Sequence, residues 1–237
     1  MAAIGEGHIK TWGMDPYGGD CSVKDQLKDI QEVHAGSVAF AAILADKRVV
    51  TWGDQEGGGD IAKVKAELLN VKQVQGKGRA FAALLENGRV VTWGDPEYGA
   101  DSSHVQSQLK DVQQVCSTYP AFAALLANGT VVAWGDPEYG GDISSINQLK
   151  DAIQIYSTRA AFSALLTDGS AVAWGHSDFG GDTSKVQDQL KDIHQILSAH
   201  SGFLAIRKDG SAVSWGKLYP DGHGEQVDWT ATLACVG

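Results

Sequence analysis

Cysteine is nearly absent from this chain. Cys21, Cys116 and Cys235 sit at unrelated places, and an odd, scattered count of 3 supports neither a disulfide framework nor a zinc site. They read as reduced core or loop residues. That predicts a soluble protein of a reducing intracellular compartment, cytoplasmic, with the nucleus as the other address. Long apolar runs are missing too. None approaches the roughly 18 residues of a membrane span, and the first residues lack the charged-then-apolar pattern of a secretory signal. Basic residues are in short supply, 19 Lys and Arg against 29 Asp and Glu, for a formal charge of −10. Such a surface repels phosphate backbones, so neither nucleic acid nor a membrane is an expected partner. The seven histidines share no metal-ligand spacing, and no Ser or Cys has a recurring acid–base neighbour. No catalytic residue, metal ligand or cofactor is assigned, and an enzyme is not expected.

What the chain has in excess is glycine, 29 residues of 237, and repetition. The segment Ala121–Gly135, AFAALLANGTVVAWG, recurs as AFAAILADKRVVTWG from Ala39, AFAALLENGRVVTWG from Ala80, AFSALLTDGSAVAWG from Ala161 and GFLAIRKDGSAVSWG from Gly202. A shorter copy, MAAIGEGHIKTWG, starts at Met1. The tryptophans of the Trp-Gly pairs, Trp12, Trp52, Trp93, Trp134, Trp174 and Trp215, are spaced 40, 41, 41, 40 and 41. A period near 41 with several strands per unit predicts an all-β fold, a single β-propeller of about six blades over residues 1–237. Its repeats end at Gly13, Gly53, Gly94, Gly135, Gly175 and Gly216.

Within one repeat, Asp95–Asp101 (DPEYGAD) reads as a loop. Ser102–Lys110 has Val105 and Leu109 four apart, which predicts a helix of one or two turns capped by Asp101 or Ser102. Asp111–Cys116 reads as a strand with imperfect alternation, because Val112 and Val115 are three apart. Ala121–Leu126 is a buried strand, Asn128-Gly129 predicts a type I′ hairpin turn, and Thr130–Trp134 is the return strand. The chain starts inside a repeat and runs on past the last Trp-Gly pair. The expectation is therefore a ring closed by both ends in one blade, split between 217–237 and 1–13, which would hide the sheet edges.

Hairpins ending in Trp-Gly after an Asp-Gly-type turn resemble the regulator-of-chromosome-condensation repeat superfamily. The short period and the split blade are most similar to the bacterial beta-lactamase inhibitory protein II type within it. The resemblance implies a propeller, usually of seven blades where six are counted here. The Gly-Gln-Leu-Gly loop that follows Trp-Gly in that family is replaced by DPEYGGD-like loops. The pair of a small residue and a His that often precedes the apolar strand there is replaced by Ala-Phe, as in Ala121-Phe122, and no wedge-like insertion is found. Nucleotide-exchange residues are therefore not carried over.

The tryptophans read as scaffold, since a residue repeated in every unit packs between blades. Loops after them place Tyr17, Tyr98, Tyr139 and Phe179 at matching positions beside acids such as Glu97 and Glu138. Loops before the apolar strand vary most and contribute Tyr119, Arg159 and His200. Together these predict an acidic, aromatic rim that binds another protein bearing a basic patch, the chain itself being monomeric. A propeller that binds a small molecule or carbohydrate in clefts between blades is the other reading, and a propeller hydrolase a distant third.

Overall fold

The computed structural model describes residues 2–5, 8–11, 14–19, 23–144, 146 and 149–217. Five of the repeats fold as meanders of three antiparallel strands. The five blades are β3 (Ile30–Ala35), β4 (Ala39–Leu44) and β5 (Val49–Gly53); β6 (Val71–Gln75), β7 (Ala80–Leu85) and β8 (Val90–Gly94); β9 (Val112–Ser117), β10 (Ala121–Leu126) and β11 (Val131–Gly135); β12 (Ala152–Ser157), β13 (Ala161–Leu166) and β14 (Ala171–Gly175); and β15 (Ile193–Ser198), β16 (Gly202–Arg207) and β17 (Ala212–Gly216). Ahead of them β1 (Ala2–Gly5) and β2 (His8–Thr11) pair as a hairpin. The rest of the expected split blade, 12–13 and 218–237, lies outside the described residues.

The middle strands β4, β7 and β10 are apolar throughout, and β13 and β16 nearly so but for Ser163 and Arg207, because they are buried on both faces. Alternate residues of β10 enter different cores. Ala121, Ala123 and Leu125 pack with Phe162 and Trp174 of the following blade. Phe122 and Ala124 pack with Trp134 and with Ala80, Ala82 and Leu84 of the preceding blade. The apolar core is thus a series of joints in which alanines of one blade receive the aromatics of the next. Each Phe faces the Trp of its own blade in register, as Phe122 faces Trp134, and the five Phe–Trp pairs stack at 5.3–5.4 Å. This is the scaffold role expected of the tryptophans.

Two local expectations are corrected and a third is explained. The hairpin is not type I′. Asn128 does not take positive φ, and only Gly129 does, at 79°. Gly129 N–H donates to Leu126 O, and Leu126 N–H to Thr130 O, so Ala127 belongs to the loop. The connection is a type I turn over Ala127-Asn128 followed by a left-handed glycine bulge. Lys47 fills that left-handed position in the Asp46-Lys47 copy, with φ 64°.

The helix expected over 102–110 is a run of tight turns. Val105 N–H donates to Ser102 O and Gln108 N–H to Val105 O, both three residues back. Val105 and Leu109 are buried as their spacing implied, but a segment this short does not recover the cost of α-helix nucleation. The three-residue spacing of Val112 and Val115 comes from a bulge. The register steps from Gln114 opposite Leu125 to Val112 opposite Leu126, which leaves Gln113 unpaired and both valines on the core face.

Candidate functional site

In each meander the loop before the middle strand and the loop after the third strand leave the same end of the sheet, opposite the hairpin. The topology therefore gathers both sets of residues singled out in the sequence on one loop face. After β11 the chain makes a 3-10 turn, Pro137–Tyr139, as it does after β8 at Pro96–Tyr98 and after β14 at Ser177–Phe179. Asp95 starts its turn by accepting the Glu97 N–H at 3.1 Å, and Asp136 does the same for Glu138 at 2.9 Å. Gly99 closes the first turn in the left-handed region, φ 89°, and a Cβ there would fall 2.9 Å from Phe122 Cδ2. Its carbonyl accepts the Trp134 indole N–H of the next blade at 3.0 Å. Trp93, Trp174 and Trp215 repeat that bond onto Gly58, Gly140 and Gly180. Trp52, buried in the same way, finds no acceptor for its Nε1 among the described residues. The turn that carries the rim aromatics is thus also the latch between blades.

Most rim acids act in turn chemistry. Asp101, Asp142 and Asp182 accept the backbone N–H two residues on, from Ser103, Ser144 and Ser184. Those serines hold all three carboxyls below the usual carboxylate range. The side chains of Glu97 and Glu138 are exposed, and their carboxylates take no part in the turns. Among the described residues, no group of three His, Cys, Asp or Glu side chains is arranged to hold a metal ion.

The aromatics form two groups. Tyr98 meets Tyr119 edge-on at 5.7 Å, and the Arg159 guanidinium lies 5.5 Å over the Tyr119 ring. Tyr139 is 5.8 Å from His176, His176 is 5.4 Å from Phe179, and Phe179 is 6.4 Å from His200. His176 Nδ1 accepts the Asp178 N–H at 3.3 Å, and its Nε2 faces Glu138 at 3.5 Å. Tyr98, Tyr139 and Phe179 are half-buried and also pack on the joints, so each has a structural side. Tyr17 is 48% exposed and stands apart from both groups. Sequence reasoning missed His176, although it occupies the position of Asp95 and Asp136 right after Trp-Gly. It also missed Lys77, whose loop gave no pattern. The loops before the middle strands join across blades: Tyr119 N–H donates to Arg159 O at 2.8 Å, and Arg159 N–H to His200 O at 3.1 Å.

No protein-family model and no curated protein matches the chain. Solved structures do. Yeast RCC1 (Prp20) bound to Kap60 is 20% identical with a TM-score of 0.56, over 85% of this chain and 60% of that one. Prp20p from Saccharomyces cerevisiae is 20% identical with a TM-score of 0.55, over 81% and 58%. The CRINKLY WD40 ectodomain of the Arabidopsis thaliana receptor kinase ACR4 is 16% identical with a TM-score of 0.55, over 91% and 83%. The fold is accordingly of the β-propeller type, similar to that of these RCC1 chains. The chain spans about three fifths of the length of the RCC1 chains it matches.

Proposed function

We propose that this chain is a non-enzymatic propeller that binds another protein through its loop face. The observation that carries the reading is the convergence of half-buried aromatics from successive blades, Tyr98 with Tyr119 and Tyr139 with Phe179 by way of His176, beside exposed Glu97 and Glu138. Rigid aromatics with one open side are the usual anchors of protein interfaces, and acids around them select a basic partner. Arg159 and His200 lie within the same two groups and complete the contact surface, with Tyr17 as an outlying anchor. Structural neighbours give the reading support: one solved RCC1 chain is bound to Kap60, and Prp20p is described with binding properties to Gsp1p and histones. Six blades closed by both ends, a monomeric state and an intracellular address belong to the same proposal.

The small-molecule reading has one observation behind it, a groove of about 890 Å³ beside β8. It runs between the 55–64 connection and β8 with its following loop and is lined by Glu56, Asp60, Asp95 and Asp101, but its Trp93 is buried and its indole N–H is already spent on Gly58. The groove lacks the open aromatic platform that a sugar ring would stack on, and the loop face is favoured.

Glu97→Lys with Glu138→Lys tests the proposal without touching the joints. The double reversal is expected to leave the melting temperature unchanged and to weaken a purified partner's binding by roughly 2 kcal/mol, about 30-fold. Unchanged affinity would place the interface elsewhere.

A further inference from the structure

One lysine of the loop face is held by neutral groups alone. Lys77, in the β6–β7 loop, reaches past the β9–β11 blade to the one beyond. There its Nζ donates to Ser157 Oγ at 3.0 Å and to Thr158 O at 3.0 Å. Both ends of this reach are fixed. Ser37 N–H donates to Gly78 O at 2.8 Å, Ser37 Oγ donates to Lys77 O at 3.1 Å, and Gly78 lies against the Tyr119 carbonyl. The loop is thus clamped from the blades on either side. Thr158 is 1% exposed, and its hydroxyl donates to Phe179 O at 3.0 Å, which holds the accepting carbonyl in place.

None of the ion pairs among the described residues includes Lys77, in a chain with 29 carboxylate side chains to 19 cations. The titratable group that acts on it is the Cys116 thiol, which burial pushes up to about 12, so it brings no charge at neutral pH. Neither Ser157 Oγ nor Thr158 O carries a charge either. An ammonium has three N–H groups, whereas a free amine has two and a lone pair. Two neutral acceptors are what the free amine needs, and its lone pair remains for an electrophile. Water reaches the side chain, so a small reagent reaches it too. Protein packed around the rest of the side chain acts in the same direction and lowers its pKa from the usual lysine value.

We propose that Lys77 is a nucleophilic amine and a modification site that takes acyl groups from thioesters. The amine lone pair attacks the thioester carbonyl carbon, a C–N bond forms and the C–S bond breaks. Sulfur leaves with the electron pair and takes up the proton that the amine gives up. The products are an amide at Nζ and a free thiol, with no oxidant or reductant required. An ordinary surface lysine is only about 0.1% unprotonated at pH 7.5 and reacts correspondingly slowly. The site stands apart from the protein-binding reading, because the amine reacts without a partner. The test uses full-length protein, the uncharged thioester S-acetyl-N-acetylcysteamine and peptide mass spectrometry, which gives an initial acetylation rate for each lysine. At pH 7.5 Lys77 is expected to react at least fivefold faster than the mean of Lys110, Lys150 and Lys185, all exposed. That advantage is expected to shrink as pH is raised to 10, where ordinary lysines also lose their protons. Ser157→Asp sets a carboxylate beside the amine and is expected to cut the Lys77 rate at pH 7.5 at least fivefold. A wild-type Lys77 rate within twofold of the three exposed lysines overturns the proposal. So does an advantage that stays constant from pH 7.5 to 10, which reflects access alone, or an unchanged Lys77 rate in a Ser157→Asp protein that melts as wild type does.

Discussion

The latch between blades provides its own control. In Trp134→Phe the indole N–H that reaches Gly99 O at 3.0 Å is lost from a side chain with 0% exposure. Leaving that carbonyl unpaired costs about 1–3 kcal/mol. The missing part of the indole also leaves a void. Full truncation of a buried Trp costs about 3–5 kcal/mol, so loss of part of the ring system contributes about 1–2 kcal/mol. The total is about 2–5 kcal/mol. Trp52 is equally buried and equally stacked on its Phe, at 5.3 Å, but its Nε1 finds no acceptor among the described residues. Trp52→Phe carries the packing loss alone, about 1–2 kcal/mol. The two substitutions lie in different joints, so their costs compare directly. Urea unfolding followed by far-UV circular dichroism, with a shared slope, gives both values. Trp134→Phe is expected to cost about 1–3 kcal/mol more than Trp52→Phe. Equal costs, or a larger one for Trp52→Phe, would refute the view that the indole hydrogen bond holds adjacent blades together.

Two further expectations concern stability. Lys47 holds a left-handed conformation, φ 64°, that four of the other hairpins give to glycine, so Lys47→Gly should stabilise the protein by about 0.5–1 kcal/mol in the same urea assay. Burial pushes the Cys116 thiol up to about 12 from an ordinary value of 9.0. Above pH 9 the unfolded chain therefore releases a proton that the folded chain keeps. Stability falls as pH rises, by up to about 1.4 kcal/mol per unit from this group. Between pH 8.5 and 10.5, wild type should lose about 1–2 kcal/mol more than Cys116→Ala; an equal loss would mean that the thiol is not held protonated.

What the sequence made legible follows from what repeats. A Trp-Gly pair every 41 residues or so and an unbroken apolar run before it can only be satisfied by strands buried on both faces, and the five meanders bear that out. Details that depend on one residue more or less were not legible. Asn128-Gly129 read as a two-residue turn because nothing in the string shows that Ala127 has left the ladder. Gln113 gave no sign of being a bulge, because its spacing from the valines mimics a helix. The rim aromatics were picked out from their matching positions, and Tyr98, Tyr139 and Phe179 follow the third strands of successive meanders, with Tyr17 apart. Their half-buried state was not visible, because packing on the next blade is a contact about 20 to 40 residues away. Lys77 was invisible for the same reason: its partners lie 80 and 81 residues on, two repeats away.

The most direct test of the loop face as the interface is site-specific photocrosslinking in cells. A benzophenone side chain is placed at Glu97 or Glu138 on the loop face, and at Asn87 or Asn128 on the opposite, hairpin end. The expected result is one and the same protein captured from both loop-face positions and not from the hairpin positions. Capture from the hairpin positions alone, or from neither end, would contradict the assignment of the loop face as the binding surface.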